Sequence, residues 1–177
     1  SGGKVKLNGA KSFVLDGHVA DFIVVLVRKP GSSGDDGLSL AVARGDAPGL
    51  QRRLLKSMDP TRKLARITFE NVEADLLGEE GNAAAPMQAT LDIAAICLAN
   101  EMVGGADRLR ESAVEFAKMR YQFGRPIASF QSLKHKAADM LLEVELAKSA
   151  AYYAAAAADE NAPELPAVAA LAKAEIS

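Results

Sequence analysis

The spacing of apolar residues changes once along the chain, at Gly78-Glu79-Glu80-Gly81. Up to about Glu73 the pattern is that of β-strands. Val5-Lys6-Leu7 alternates, Phe13-Val14-Leu15 follows, and Phe22 to Val27 is a continuous apolar run rich in branched side chains. Asn8-Gly9 lies between the first two segments. That dipeptide favours the type I′ turn, whose central residues both need positive φ, so Lys4 to Leu15 is predicted to be a hairpin. The Phe22 to Val27 run predicts a strand covered on both faces. Lys29 to Gly37, rich in Pro, Ser, Gly and Asp, predicts a connection with a poorly ordered tip. Leu38 to Ala43, Leu50 to Leu55 and Leu64 to Glu70 complete about six short strands, with Asp59-Pro60 as a turn between the last two.

Beyond Gly81 the apolar period lengthens to three or four. Met87, Leu91, Ala94, Leu98, Met102, Ala106, Leu109, Ala113, Phe116 and Met119 mark one face of a long helix. Phe123-Gly124-Arg125-Pro126 should end it, with Gly124 in the left-handed C′ position. A second helix is predicted from near Ser129, with Ser132 as a competing N-cap and Leu133, Ala137, Leu141, Val144, Ala147 and Ala151 facing inward. A third begins near Pro166. Gly104-Gly105, in mid-helix, costs roughly 1 kcal/mol per glycine relative to alanine and predicts close helix packing. The fold class is therefore α+β: a small antiparallel β-barrel or sandwich over residues 1–80, then an incomplete up-and-down helical bundle over 81–177. An apolar stripe is left without a partner, and a further helix, from the same protein or a neighbouring subunit, is expected to cover it.

Composition removes several function classes. The 177 residues hold 21 basic and 23 acidic side chains, and no Lys/Arg tract makes the one-sided patch expected of a nucleic-acid binder. The single cysteine, Cys97, can build neither a disulfide framework nor a cysteine metal site, which fits a reducing cytoplasm. Ser1-Gly2-Gly3-Lys4 carries no signal-peptide pattern and no uninterrupted apolar run approaches the roughly 20 residues of a membrane span, so no membrane insertion is expected. His18 and His135 lack companions at metal-ligand spacing, so no metal is expected either. Both ends fall within secondary-structure patterns, as in a fragment.

The segment richest in chemistry is Arg120-Tyr121-Gln122-Phe123-Gly124-Arg125-Pro126-Ile127-Ala128-Ser129-Phe130-Gln131. Two guanidinium groups, two amides and the start of a helix meet at one tight turn, and such a corner could grip a diphosphate. A purely structural hairpin, with Arg120 at a helix C-terminus and Phe123 and Phe130 in the core, explains the same residues. Asp92 reads as a solvated carboxylate in the first turn of the long helix, stabilised by the helix dipole. Glu101, on the same helix, reads as a surface group.

Arg-x-Gln-Phe-Gly-x-Pro-Ile-x-x-Phe-Gln, followed by His135 and Ala138-Asp139-Met140, resembles the motif joining the first two C-terminal helices of acyl-CoA dehydrogenases. Leu7-Asn8-Gly9-x-Lys11, Asp16-Gly17-x-x-Ala20-Asp21, Phe69-Glu70-Asn71-Val72, Leu77-Gly78-x-x-Gly81 and Ala172-Lys173 continue the likeness in the family's order. The resemblance implies α,β-dehydrogenation of an acyl-CoA thioester with FAD as cofactor. It places Arg120 and Gln131 on the ADP part of FAD across a dimer interface, with Gln122 and Phe123 beside it. Val14 and Leu15 would offer backbone contacts to the flavin, and Asp92 would meet the substrate. It further implies a homodimer or homotetramer, or a hetero-oligomer, and an electron-accepting flavoprotein as partner.

Three positions depart from the family pattern. Leu15 stands where a hydroxyl residue is usual, Ala94 where some members carry the catalytic glutamate, and Ala95 where an arginine is frequent. No catalytic base is therefore expected in this chain. The departures also motivate two alternatives, a non-catalytic partner subunit and a helical interaction module without flavin.

Overall fold

The computed structural model describes residues 3–177; Ser1 and Gly2, the first half of the Ser1-Gly2-Gly3-Lys4 segment, lie outside the described residues. The chain divides into two compact units, one ending at Met87 and one beginning at Gln88.

The first unit is an antiparallel sheet of β1 (Lys4–Leu15), β2 (Phe22–Arg28), β3 (Leu38–Arg44), β4 (Leu50–Leu54) and β5 (Leu64–Leu77). The order is β1-β5-β3-β2, with β4 also paired to β5. The organising element is β5: β1 runs along one edge, while β4 pairs with its first half and β3 with its last residues. Between these two partners Asn71 takes φ 53 and Glu70 donates its N–H to the Gly49 carbonyl at 3.0 Å. The strand changes neighbours there and the sheet curls into a half-barrel. Leu7, Ile23, Val25, Ala41, Ile67, Phe69 and Val72 form its core.

Asn8-Gly9 does not turn the chain. Lys4 to Leu15 is one strand, and the dipeptide sits at a register shift where Leu7 faces Val72 and Gly9 faces Phe69. The reason is a side-chain bond across the ladder: Asn8 Oδ1 accepts the Asn71 N–H at 2.9 Å, and Asn8 Nδ2 donates to Asn71 Oδ1 at 3.4 Å. A bulge uses the same backbone permissiveness as a turn, which is why the pair misleads. The six expected strands thereby become five in this sheet, and β5 runs on to Leu77 instead of stopping at Glu70.

The run Phe22 to Val27 is covered on one face only. Ile23 and Val25 are buried, whereas Phe22 and Val24 are 62% and 59% exposed. The connection after β2 folds into turns tied by Arg28, which donates to the carbonyls of Asp36 at 2.8 Å and Gly34 at 2.6 Å, contrary to the expected poorly ordered tip.

The second unit is helical. α1 (Ala84–Met119) runs into a two-stranded ribbon, β6 (Tyr121–Gln122) and β7 (Arg125–Pro126), then a 3-10 turn (Ile127–Ser129), α2 (Gln131–Asp159) and α3 (Leu165–Ile176). Ile96 and Ala99 of α1 meet Ala154 and Ala157 of α2 and Val168, Ala169 and Ala172 of α3; farther along, Val103 meets Ala147 and Ala151. The pairing order makes α1 and α2 antiparallel. The buried face of α1 is therefore Asp92, Ile96, Ala99 and Val103, one residue out of phase with the predicted stripe. Leu91, Leu98, Leu109, Phe116 and Met119 of that stripe are instead 45–73% exposed. α1 has two apolar faces, and the pattern of large side chains picks out the one its own chain leaves open. Leu141 of α2, expected inside, is likewise 44% exposed.

α1 is also long and apolar enough, by length and composition alone, to cross a membrane, although no uninterrupted apolar run was apparent. Its seam with α2 and α3 and the Asp107, Arg108, Arg110 and Glu111 cluster are features of a bundle helix.

Helix ends differ from expectation too. Ser129 donates its hydroxyl to the Pro126 carbonyl at 2.7 Å, and the N-cap of α2 is Phe130, which makes no side-chain cap bond. α2 closes with Asn161 at φ 49 and the Ala162 N–H on the Ala157 carbonyl. Pro166 lies in the first turn of α3, as its missing N–H allows. Gly104 and Gly105 face open space: a Cβ on either would meet nothing within 4 Å, so close packing within this chain does not explain them.

Two substitutions check this account. Asn8→Ala removes the acceptor that holds Asn71 and should cost about 0.5–1.5 kcal/mol in a urea titration, with Asn8→Asp costing less. Gly105→Ala should stabilise the isolated chain by up to about 1 kcal/mol, and a loss of stability there would show the site to be occupied.

Candidate functional site

The corner between α1 and α2 is built from the ribbon. α1 ends at Met119, where Arg120 donates its N–H to Phe116 and accepts from Ile127 at 2.8 Å through its carbonyl. Tyr121 then pairs with Pro126 and Gln122 with Arg125. Phe123 and Gly124 occupy the two tip positions with φ 56 and 75, the pairing of positive angles that a type I′ turn requires. Gly124 is thus a hairpin residue and not a helix C′ residue. Phenylalanine in the left-handed region carries a steric cost of roughly 1–2 kcal/mol.

The structural-hairpin reading fails at its central point, since Phe123 is 90% exposed. Only Phe130 is partly sheltered. Arg120, Gln122 and Gln131 are exposed as well. No partner for the Arg120 guanidinium occurs among the described residues. Gln131 Nε2 lies 3.4 Å from His135 Nε2. The start of α2 has no side-chain cap and no acidic residue in its first turn, while the Phe130 carbonyl takes the N–H groups of Leu133 and Lys134. A helix start without a side-chain cap or an acidic residue is a favourable setting for an anion.

Val14 and Leu15 belong to the other unit. β1 shifts register between Lys11 and Val14, Phe13 takes φ 60, and Leu15 pairs with Leu64. The Leu15 side chain is 61% exposed; the Val14 carbonyl already accepts from Gly17 at 3.3 Å. Asp92 is neither solvated nor in the first turn. It is the ninth residue of α1, 8% exposed, and accepts from Gln88 Nε2 at 2.9 Å. Ala94 is exposed and Ala95 half-buried. His18 holds a buried Nδ1 without a partner among the described residues, and no set of His, Cys, Asp and Glu among them could hold a metal.

Sequence reasoning missed the ion cluster that pins α1 to α2. Lys148 Nζ lies 2.8 Å from Asp107 Oδ2 and 2.9 Å from Glu145, and Arg110 reaches Asp107 at 2.8 Å. The i,i+3 spacings were visible; the cross-helix register was not. The hydrogen bond from Lys148, followed by that from Arg110, holds the Asp107 carboxyl below the usual range, and Asp107 in turn raises Lys148.

A curled antiparallel sheet followed by an antiparallel helical pair joined through an exposed hairpin defines a recognisable class. The family model described as acyl-CoA dehydrogenase, C-terminal domain, matches residues 83–177, and the chain belongs to the acyl-CoA dehydrogenase family. It is 33% identical over 166 residues to the short-chain specific acyl-CoA dehydrogenase of Megasphaera elsdenii, covering 91% of this chain and 43% of that protein. The solved butyryl-CoA dehydrogenase of the same organism superposes with a TM-score of 0.91 at 32% identity, covering 98% of this chain and 46% of the other. PigA, solved with FAD and proline, gives 0.90 at 29% identity, covering 97% and 46%. The chain spans less than half the length of the curated relatives it matches.

The clamp makes a pH prediction with a definite sign. Because Asp107 is depressed in the fold, its contribution is complete above the usual carboxylate range and fades as pH falls through the lowered value. Lys148 is raised, so its share disappears only as pH climbs through a value above the ordinary lysine range. Lys148→Met should therefore lower the urea midpoint at neutral pH, and the gap from the parent should close in acid.

Proposed function

We propose that the chain is the β domain and dimer-forming helices of an FAD-dependent acyl-CoA dehydrogenase. The observation that carries the reading is the exposed Arg120, whose guanidinium has no partner among the described residues, at the start of the hairpin that leads to Gln131 and the uncapped start of α2. PigA, a neighbour in structure, is described with FAD. A bound flavin supplies the hydride acceptor for α,β-dehydrogenation of an acyl-CoA thioester. Arg120 would neutralise the diphosphate bidentately, and Gln131 and Gln122 would donate amide hydrogens to it. Phe123, exposed at the hairpin tip, would shield the nucleotide from water. Val14 and Leu15 would contribute backbone alone, because an aliphatic side chain at 15 has no hydrogen to donate. Asp92 would meet the substrate with the acceptor capacity that its bond from Gln88 leaves free.

The carboxylate that removes the α proton would lie outside these residues, since position 94 is alanine. The exposed α1 stripe supports a homodimer or homotetramer, or a hetero-oligomer, in which another helix covers it. An electron-accepting flavoprotein would reoxidise the cofactor, in a cytoplasmic setting. Leu15, Ala94 and Ala95 favour one variant of this reading, a partner subunit that holds the assembly without performing the chemistry.

Protein from the complete reading frame should be yellow, and Arg120→Ala should weaken FAD binding by roughly 10-fold or more, the loss expected for a hydrogen bond to a charged group. A colourless protein that takes up no added FAD would sink the reading in favour of a flavin-free interaction module.

A further inference from the structure

Arg125 has no role in the grip just described, yet its guanidinium carbon stands 4.1 Å from the centroid of the Phe130 ring. Phe123 meets the same ring edge-on, with centroids 6.1 Å apart and planes at 87°. Phe130 is the N-cap of α2, next in sequence to Gln131, whereas Phe123 is the tip of the ribbon that begins after Arg120. One ring thus joins the two elements that carry the diphosphate donors. Other restraint on the tip is slight: each arm of the ribbon is two residues long, and nothing lies within 4 Å of a Cβ built on Gly124.

We propose that Arg125 is a positioning residue: by stacking on Phe130 it locks that ring, the ring holds Phe123, and the separation of Arg120 and Gln122 from Gln131 is set before any nucleotide arrives. The inference rests on reading this corner as the flavin-nucleotide site. A guanidinium stacked on an aromatic face acts on affinity through the geometry of that ring and not through a phosphate contact. Preorganisation of this kind saves the cost of ordering a loop on binding.

The test is a double-mutant cycle on FAD affinity in the complete gene product, with Arg125→Met, Phe130→Leu and their combination, beside Arg125→Lys and Arg120→Ala. Arg125→Met should weaken FAD by roughly 3- to 10-fold, the range a cation–π contact supplies, while the thermal midpoint of the flavin-free protein stays put. Arg125→Lys should recover part of the loss, and the double variant should bind no worse than the weaker single one. Additive losses, or a salt dependence altered by Arg125→Met as by Arg120→Ala, would make Arg125 a direct anion contact and overturn the proposal. So would full affinity in Arg125→Met while Arg120→Ala loses FAD, a result that leaves the flavin reading standing. If neither substitution moves affinity, this corner is not the nucleotide site and the positioning role falls with it, while a protein that takes up no FAD at all would instead sink the flavin reading. Should Phe130→Leu fail to fold, the Arg125→Met and Arg125→Lys pair with its salt dependence decides the matter.

Discussion

The helical unit depends on an alanine seam. Ala99 on α1, Ala147, Ala151, Ala154 and Ala157 on α2, and Ala169 and Ala172 on α3 are almost fully buried; Ile96, Val103, Val144 and Val168 add bulk, with Leu165 and Ile176 packed at the margin. Small side chains let helix backbones approach closely, and the dispersion gained across a close interface replaces area that larger residues would bury. α1 and α2 are joined by residues 120–130, in which a two-residue turn flanked by two-residue strands is followed by a 3-10 turn. The tip of that ribbon is a left-handed phenylalanine with its side chain exposed.

Burying alanine instead of leucine also explains why α1 presents a second apolar face. Leu91, Leu98, Leu109, Phe116 and Met119 remain open, and each forfeits roughly 1.5–3 kcal/mol of transfer free energy while it does so. A contiguous stripe of that kind marks an interaction surface. Gly104 and Gly105 lie exposed on the same helix, where two glycines without close neighbours lower helix stability and gain nothing within the chain.

Much of the fold was legible because apolar period is a strong signal: the switch from strands to helices, the three helices and four of the five sheet strands sit near their predicted places. What failed was local and physical. Asn8-Gly9 promised a hairpin, but the amide of Asn8 found Asn71, 63 residues away in sequence, and a long-range bond of this sort leaves no trace in spacing. Phe123-Gly124 made the type I′ turn instead, without the Asn or Asp that usually signals one. The phase of α1 was misread because leucines outweigh alanines in any reading by hydrophobicity, whereas the face this chain covers carries Asp92, Ile96, Ala99 and Val103. At the corner, Arg120, Gln122, Phe123 and Gln131 were visible as chemistry-bearing types. The stack of Arg125 on Phe130 was not, since a cation over a ring depends on an angle that only the folded turn provides.

The exposure of Phe123 bears on more than one reading of the chain. A phenylalanine in the left-handed region, nine-tenths exposed, costs steric strain and hydration together, and a hairpin serving only to reverse the chain would satisfy the same angles with asparagine or glycine at no such cost. Strained residues persist where the surroundings over-determine them, and they gather at sites of binding. Here the over-determination is specific: the Phe130 ring meets Phe123 from the helix side and Arg125 covers that ring, so the costly residue is held in one orientation instead of being left to collapse inward. A purely structural corner needs the tip buried, and an unspecific apolar surface needs no clamp. An ordered aromatic tip braced by a stacked ring is instead suited to contact with another molecule, which is the requirement the proposed function places on this corner.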